Sequence, residues 1–241
     1  MEPWGDEALF LDLDGTLFDI APTPDEVVVA EGLADLLAAA TRQLDGAFAI
    51  VTGRPLAEVD RFLAPLVPIA AGVHGAEIRL SPGGTVERKA RAVDASIVEA
   101  VRRVAREVPG TLVELKTASV ALHYRQATSA ELRLEAALAS IVEQGPDHLI
   151  LCRGRRVLEI VPRHVSKGTA LEALMALPAF KGRRPIMIGD DVSDMSAFAA
   201  AMRLGGRGLR VAGGQFALAE AEFSCPDAVR NWLAQQIRGA A

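Results

Sequence analysis

The sequence predicts an α/β protein, built as a doubly wound parallel-sheet core with an inserted α+β cap domain. Two observations predict this class. Near both ends of the chain, short apolar runs alternate with stretches of helical period, the order expected of parallel strands joined by helices. In the middle, pairs of strand-like runs are joined by links too short for a crossover, which indicates antiparallel hairpins.

The first core segment is predicted to comprise residues 1–80. Its apolar runs predict buried strands, and leucines at helical spacing predict the helix between the first two of them. Pro55 favours a second helix that it opens at the first position. The strands are predicted at residues 8–11, 48–51 and 68–73, and the helices at residues 31–45 and 55–65.

The cap is predicted to comprise residues 81–162, starting at the turn-forming segment Ser81–Gly84. The order changes there to one helix followed by two strands, and this unit occurs twice. Helices are predicted at residues 94–108 and 129–144, and strands at 112–116, 120–125, 149–152 and 157–161. Because two strands follow each helix directly, we expect an antiparallel sheet with the helices packed beside it.

The core pattern resumes in residues 163–241, so the core is split in the sequence and the cap is an insertion. Ser166 is a good N-cap residue and marks the start of the next helix. Helices are predicted at residues 166–177, 194–202 and 225–238, and strands at residues 185–189 and 208–211.

Composition excludes several classes of function. The 241 residues carry a net charge of −5 and no basic run with interleaved aromatics, so we expect neither a nucleic acid nor an anionic membrane as partner. Cys152 and Cys225 are too few and too isolated for a disulfide framework or a zinc site. The chain also lacks a basic leader and an apolar run of about 18 residues. We expect a cytoplasmic, monomeric protein.

Two motifs place carboxylates after predicted buried strands. The first is Asp12-Leu13-Asp14-Gly15-Thr16, in which two carboxylates spaced by two residues face the same side of an extended segment. The second is Gly189-Asp190-Asp191-Val192-Ser193-Asp194, whose three carboxylates are typical of a site for a hard cation. Each motif also fits a plainer structure, an Asp-Gly turn for the first and a helix capped by Asp194 for the second.

Two further motifs are suited to an oxyanion. In Thr52-Gly53-Arg54, a hydroxyl is followed by a glycine that lets the backbone approach a ligand closely. In Ser166-Lys167-Gly168, the lysine lies in the first turn of a helix, where a cation opposes the helix dipole by about 0.3–1 kcal/mol and an anion nearby would offset that cost. An ordinary strand-to-helix turn and a solvated lysine remain open for these motifs taken singly.

Together and in this order, the four motifs resemble the haloacid-dehalogenase phosphohydrolases, which have a Rossmann-like core. The resemblance covers the whole predicted core. It implies that Asp12 is a nucleophile, that Asp14 is the general acid and base, and that Thr52 and Lys167 hold the transferring phosphoryl group. It also implies a Mg²⁺ ion bound by Asp12, Asp190 and the backbone carbonyl of Asp14, with Asp191 in support.

The cap and its surroundings resemble the trehalose-6-phosphate phosphatases of that superfamily. The resemblance rests on Ala49–Arg54, Ala71–Glu77, Leu112–Lys116, Ala121–Arg125 and Arg156–Pro162, with Pro162 ahead of Lys167-Gly168. It implies a sugar phosphate as the small-molecule substrate. The residues that it implies in substrate binding are Arg54, His74, Gly75, Glu114, Lys116, His123, Arg125 and Glu159.

One departure from the family pattern concerns the second acidic motif. Ser193 and Met195 stand where the family usually has Thr and Glu. The first exchange keeps the hydroxyl, whereas the second removes a carboxylate, which we expect to lie outside the ligands of the metal. Two alternatives stay open: another sugar-phosphate phosphatase or a phosphomannomutase-like enzyme with a similar core and cap, and an inactive sugar-phosphate sensor.

Overall fold

The computed structural model of the chain describes residues 4–21, 23 and 26–239, and within these residues it contains two β-sheets. One is the sheet of the core and the other is the sheet of the cap. The strands are β1 (Glu7–Leu11), β2 (Phe48–Val51), β3 (Ala70–Gly72), β4 (Glu77–Arg79), β5 (Glu87–Arg88), β6 (Leu112–Leu115), β7 (Val120–His123), β8 (Leu149–Gly154), β9 (Val157–Pro162), β10 (Arg184–Gly189) and β11 (Arg207–Arg210).

The core sheet has the strand order β11-β10-β1-β2-β3-β4-β5. Pairing is parallel from β11 to β3 and antiparallel from β3 to β5. β2 is apolar throughout, and β1 is apolar from Ala8 to Leu11, because both faces of these central strands are buried. β1 pairs with β2 on one side and with β10 on the other, so the two halves of the chain meet at β1.

The core sheet extends further along the chain than predicted. β4 and β5 form an antiparallel extension at its edge, and β5 lies beyond residue 80, where the first core segment was predicted to end. The predicted strand at residues 68–73 is shortened to β3, since Val73–Gly75 forms a 3-10 turn. The apolar pattern does not indicate this extension, because β4 contains Glu77 and Arg79 and both residues of β5 are exposed and polar.

The helices of the core are α1 (Leu33–Gln43), α2 (Leu56–Leu63), α5 (Lys167–Met175), α6 (Met195–Arg203) and α7 (Pro226–Gly239). α5 packs against α6, and α1 packs against α7. The helices and the parallel strands share one hydrophobic cluster, which forms the interior of the core. Pro55 lies at the N-cap of α2 rather than at the predicted first helical position. Ser166 caps α5 as predicted, accepting a hydrogen bond from the Thr169 amide (3.0 Å).

The cap consists of a four-stranded antiparallel sheet, in the order β6-β7-β9-β8, with helices α3 (Ala95–Arg106) and α4 (Glu131–Glu143) packed against it. It has a hydrophobic cluster of its own, as expected of a separate domain. Its helices and hairpins agree with the prediction to within a few residues. In the described part of the chain, no helix has the length and hydrophobicity needed to span a bilayer.

Candidate active site

Asp12 and Asp14 follow β1 in a tight loop at the carboxyl end of the parallel strands, where open α/β sheets bind ligands. The amides of Leu17 and Phe18 both donate to the carbonyl oxygen of Leu13 (2.8 Å each), which closes the loop. Leu13 is completely buried, whereas Asp12 and Asp14 line a cavity of about 410 Å³ between the core and the cap. The predicted arrangement of the two carboxylates on one side is therefore present.

The loop after β2 forms the second wall of the cavity. Thr52 is buried and its hydroxyl accepts a hydrogen bond from the Arg54 amide (3.2 Å). The ring of His74 lies directly on Gly53, where a Cβ atom would be only 2.7 Å from His74 Cε1. A glycine at position 53 is therefore required by close packing, and Thr52 and His74 both face the cavity.

Lys167, at the start of α5, is buried between two carboxylates. Its Nζ lies 2.8 Å from Asp12 Oδ2 and 2.7 Å from Asp194 Oδ1. Burial alone lowers the pKa of Lys167, but the negative charges of Asp12 and Asp194 outweigh this effect and hold the pKa above its ordinary value. The lysine is therefore a fixed cation next to Asp12, and the plainer hypothesis of a solvated lysine is wrong.

Three buried carboxylates meet at one point. Asp12, Asp190 and Asp194 each offer an oxygen atom, and the three atoms lie within 4.8 Å of one another. Both oxygens of Asp194 are engaged, because Oδ1 accepts from Lys167 and Oδ2 accepts the amides of Asp190 (3.1 Å) and Asp191 (3.0 Å). The plainer hypothesis for this motif, a side-chain cap of α6 by Asp194, is wrong, because that side chain makes no capping hydrogen bond to α6 and instead organises the loop before it.

Asp191, predicted to support the metal, is not part of this carboxylate cluster. Asp191 is the N-cap residue of the 3-10 turn Val192–Asp194, and its side chain lies close to the cap, where a Cβ atom at Gly154 would be 3.0 Å from Asp191 Oδ2. Met195 is 46% exposed and begins α6 outside the cluster, as expected. The exchange of Glu for Met therefore leaves the three converging carboxylates in place.

The cluster fits a divalent cation. Burial first, and then the charges of Asp12, Asp194 and Asp191, raise the pKa of Asp190 to about 9. Burial also raises the pKa of Asp12 to about 6, although Lys167 opposes the shift. Within the described residues, no hydrogen-bond donor reaches the Asp190 carboxylate, and Gly15 and Gly214 leave no room for a side chain beside it. A hard cation, which prefers oxygen ligands, would bind to and neutralise the carboxylates of both Asp12 and Asp190.

The raised pKa of Asp190 makes a prediction for the metal-free protein. Because its folded-state pKa lies above its ordinary value, the free energy of unfolding should fall as pH rises between about 4 and about 9. In EDTA, we expect Asp190→Asn to melt several degrees above the wild type at pH of about 8, and the difference to shrink at pH of about 5. Thermal unfolding at several pH values measures this, and parallel curves for the two proteins would contradict it.

Arg54 holds the carboxylate of Asp14. Its Nε and Nη2 atoms bind Asp14 Oδ2 and Oδ1 at 2.6 and 2.8 Å, a bidentate contact, while Nη1 binds Glu58 Oε2 at 2.7 Å. The guanidinium also lies over the ring of Phe62, 5.0 Å from its centroid. Arg54 was predicted to bind substrate. It lines the cavity, and there its guanidinium binds both Asp14 and Glu58, a residue that no motif had indicated; its role in substrate binding stays a prediction.

The cap contributes a row of charged residues to the cavity. Glu114 and Glu159 lie on one face of the cap sheet, because both are in register with Ala121 on the strand between them. Glu114 accepts a hydrogen bond from His123 Nε2 (2.7 Å), and burial, which raises the pKa of Glu114, is outweighed by His123 and Lys116, so the pKa is lowered. The side chains of Glu114, Lys116, His123 and Glu159 all line the cavity, and their role in substrate binding stays a prediction.

Lys116 and Glu159 also connect the cap to the core. Lys116 Nζ donates to Glu159 Oε2 (3.2 Å) and to the carbonyl oxygen of Gly53 (3.1 Å), and Glu159 Oε2 is 3.1 Å from His74 Nε2. Ser119 donates to the other oxygen of Glu159. Burial, which raises the pKa of Glu159, is outweighed by Lys116 and His74, which hold that pKa well below its usual range.

The segment from Val73 to Gly75 carries backbone strain. Val73 and His74 have φ values of 48° and 56°, which are unusual for residues with side chains, and strained residues of this kind cluster at active sites and ligand clamps. This conformation directs the His74 ring toward Glu159. Gly75 was predicted to bind substrate, but it is not among the cavity-lining residues; a Cβ atom there would be 3.0 Å from Ala170 Cβ and from the Ser166 carbonyl oxygen.

Two arginines of the cap reach the cavity near the loop that follows β1. Arg125, a predicted site residue, donates through Nη1 to the carbonyl oxygen of Ala21. Arg155, on the β8–β9 hairpin, lines the same cavity and was not predicted. Burial and the charge of Arg155 lower the pKa of Arg125. The sequence predicts only a hairpin at Arg153-Gly154-Arg155, between the strands at 149–152 and 157–161, because nothing in it shows which way the tip of that hairpin points.

Sequence comparison identifies relatives over nearly the whole chain. The trehalose-phosphatase family model matches residues 10–215. A probable trehalose-phosphate phosphatase of Sinorhizobium fredii is 42% identical over 227 residues, covering 92% of this chain and 83% of the relative. The trehalose-6-phosphate phosphatase of Escherichia coli is 38% identical over 227 residues, covering 94% and 85%.

Structure comparison supports the same architecture. The C-terminal domain of a trehalose-6-phosphate phosphatase from C. albicans superposes with a TM-score of 0.84 at 17% identity, covering 96% of this chain and 92% of that chain. A phosphatase of the haloalkanoate (HAD) enzyme superfamily from Bacteroides thetaiotaomicron gives a TM-score of 0.62 at 18% identity, covering 95% and 94%. The predicted core and inserted cap are confirmed as the fold of that superfamily.

Proposed function

Since the chain belongs to the trehalose-phosphatase family, we propose that it hydrolyses trehalose 6-phosphate to trehalose and inorganic phosphate. It is a hydrolase of phosphoric monoesters. The observation that carries the proposal is the cavity between core and cap: Asp12, Asp14 and Lys167 lie on its core side, and Glu114, Lys116 and Glu159 lie on its cap side. One wall is suited to phosphoryl transfer and the other to sugar hydroxyls.

Asp12 is the nucleophile of the proposed reaction. A carboxylate that approaches a phosphate dianion is repelled by about 4 kcal/mol for each pair of unit charges at about 4 Å and an effective dielectric constant of about 20. Lys167, 2.8 Å from Asp12, offsets this repulsion and is already positioned by Asp194 before substrate binds. The attack forms an aspartyl phosphate and breaks the bond between phosphorus and the sugar oxygen.

Asp14 is the general acid and base. The sugar alkoxide is a poor leaving group, so Asp14 donates a proton to it and then removes a proton from the water that opens the aspartyl phosphate. The bidentate contact with Arg54 fixes the plane of the Asp14 carboxylate, and Glu58 holds the guanidinium from the other side. Arg54 is therefore a positioning residue in this proposal.

A Mg²⁺ ion would be held by Asp12 and Asp190, and we also propose the backbone carbonyl of Asp14 as a ligand. When bound, the ion neutralises charge that builds up on the phosphoryl oxygens. The support for this role comes from the residues themselves: the two carboxylates are buried, converge on one point and have raised pKa values. Asp194 holds the loop that carries Asp190 through its two amide contacts.

In this proposal, the cap recognises the sugar part of the substrate. Carboxylates and amines that face a cavity from adjacent strands suit a ligand with many hydroxyl groups, because they accept and donate hydrogen bonds at fixed positions. Glu114, Lys116, His123, Arg125 and Glu159 form this face. The contacts of Lys116 with the Gly53 carbonyl oxygen and of Glu159 with His74 show that the same residues also hold the cap against the core.

A panel of sugar phosphates tests the proposed function. Purified protein with Mg²⁺ should release inorganic phosphate from trehalose 6-phosphate faster than from monosaccharide phosphates. Release from another sugar phosphate at a higher rate would favour the related phosphatase. Phosphate moved between positions of one sugar, instead of being released, would favour the mutase, and no turnover of any sugar phosphate would favour the sensor. The monomeric state expected from the sequence stays a prediction.

The cap face also predicts a difference between substrates. We expect Lys116→Ala and Glu159→Ala to lower kcat/KM for trehalose 6-phosphate by about tenfold or more, since each removes a charged hydrogen-bonding group worth about 1.5–3 kcal/mol. Hydrolysis of p-nitrophenyl phosphate, which has no sugar, should change little. Arg102→Ala serves as a control, because Arg102 is on the exposed side of α3 and pairs only with Glu99 among the described contacts. Equal losses on both substrates would contradict a role in sugar recognition.

A further inference from the structure

The turn between β6 and β7, residues Lys116–Ser119, is inserted into the core at three points. We refer to it as the docking turn. The Lys116 side chain donates to the Gly53 carbonyl oxygen, and the Thr117 hydroxyl donates to Glu77 Oε1. Ala118 is completely buried in a small apolar cluster with Val73, Ala76 and Val165 of the core. The docking turn therefore carries a cavity-lining residue, Lys116, and an anchor to the core next to it.

Glu77 is the core residue that receives this anchor, and both of its carboxylate oxygens are used. Oε2 accepts the amide of Leu56 (2.8 Å), the first residue of α2, and Oε1 accepts from Thr117. Pro55, at the N-cap of α2, has no side-chain acceptor for the first amides of the helix. Glu77, which lies on β4, accepts the Leu56 amide in its place. A carboxylate is also favoured next to the positive end of the helix dipole.

Glu77 is itself 7% exposed and does not belong to the residues that line the cavity, so it does not contact substrate there. It does join two segments that do. Leu56 lies two residues after Arg54, which holds Asp14, and Thr117 follows Lys116, which faces the sugar side of the cavity. A single buried carboxylate thus connects the loop that positions the acid and base with the cap turn.

We propose that Glu77 is a positioning residue for substrate recognition, which fixes the docking turn against the core so that Lys116 is presented to the cavity. This inference rests on the proposed function. The geometry supports it in two ways: Thr117 and Lys116 are adjacent, so a shift of one moves the other, and Glu77 is held rigidly by the Leu56 amide. The packing of Ala118 holds the docking turn in the core but does not fix its orientation. The hydrogen bond from Thr117 to Glu77 does fix it, because a hydrogen bond requires a defined direction.

The test compares variants of Thr117, because it is half-buried and its substitution leaves the Leu56 contact intact. Thr117→Val has nearly the same shape but no hydroxyl. We expect it to lower kcat/KM for trehalose 6-phosphate about tenfold and to leave p-nitrophenyl phosphate hydrolysis unchanged. Thr117→Ser keeps the hydroxyl and should restore wild-type kinetics. Thr41→Val, which removes a hydroxyl bonded to the Leu37 carbonyl oxygen on α1, is the matched control.

The double variant decides whether Glu77 and Thr117 act through Lys116. In a Lys116→Ala background, Thr117→Val should cause no further loss on trehalose 6-phosphate, since its effect requires the lysine. An additive loss, equal losses on both substrates, or wild-type kinetics of Thr117→Val would each overturn the proposal. Glu77→Gln keeps an acceptor for the Leu56 amide and a polar group for Thr117, so its kcat/KM for trehalose 6-phosphate should fall less than that of Glu77→Ala. Equal losses in the two variants would contradict the proposed role of Glu77.

Failure of the proposed function can be told apart from failure of this inference. A wild-type protein that releases no phosphate from trehalose 6-phosphate contradicts the former. Amide hydrogen exchange of the docking turn then tests the positioning itself without a substrate. Faster exchange of residues 116–119 in Thr117→Val and wild-type exchange in Thr117→Ser would support the anchor, and unchanged exchange in both would overturn it.

Discussion

Asp12→Asn is expected to reduce phosphate release by at least about four orders of magnitude, as is typical when a catalytic nucleophile is removed. The amide is nearly isosteric with the carboxylate but cannot form an aspartyl phosphate. Lys167 keeps its ion pair with Asp194, so the buried cation stays compensated and the fold should be retained. Steady-state kinetics and circular dichroism measure the two parts of the expectation.

Asp14→Asn is the matched control for the nucleophile. With p-nitrophenyl phosphate, whose leaving group needs no proton, this variant should still phosphorylate Asp12 but should hydrolyse the intermediate slowly, because the general base is missing. The phosphorylated protein should then accumulate and be located on Asp12 by mass spectrometry. Phosphate trapped on a different residue, or accumulated equally in Asp12→Asn, would refute the assignment of the nucleophile.

Asp190→Ala is expected to lose activity in the same way as EDTA-treated wild-type protein. The substitution removes one of the two buried carboxylates available to a cation, and a hard-cation site weakens strongly when it loses an anionic ligand. We expect Mg²⁺ to restore the EDTA-treated wild type at low concentration, and to restore the variant only at a concentration at least about tenfold higher or not at all. Activity as a function of free Mg²⁺ gives both curves.

Met195→Glu is the comparison for the acidic loop. It restores the carboxylate that the family usually has, on an exposed position at the start of α6. Because Met195 lies outside the Asp12, Asp190 and Asp194 cluster, we expect at most a modest gain in Mg²⁺ affinity. A large gain in Mg²⁺ affinity with Met195→Glu would mean that a carboxylate at this position contributes more than its distance from the cluster indicates.

For Asp190→Ala, full activity at low Mg²⁺ would contradict the proposed role of Asp190 as a metal ligand.

The sequence alone was sufficient for the architecture. The buried parts of β1, β2 and β10 are short apolar runs, and the cap hairpins are joined by short links, so strand type and domain insertion follow from local patterns. The Ser166 cap and the four motifs at strand ends and a helix start follow from the same local reasoning. β4 and β5 escaped prediction, because β4 contains two charged residues and β5 consists of two exposed, polar residues, so both strands form only through pairing at the edge of the sheet.

The sequence indicated most of the charged residues that line the cavity, but not Glu58 or Arg155, and the partners of all of them were decided by tertiary structure. Asp194 joins Asp12 and Asp190, while Asp191 turns toward the cap; Arg54 binds Asp14; Glu77 connects α2 to the docking turn. The physical reason is that a carboxylate or guanidinium pairs with whichever group its side chain can reach. That reach depends on the packing of segments far apart in the chain, which no local spacing encodes.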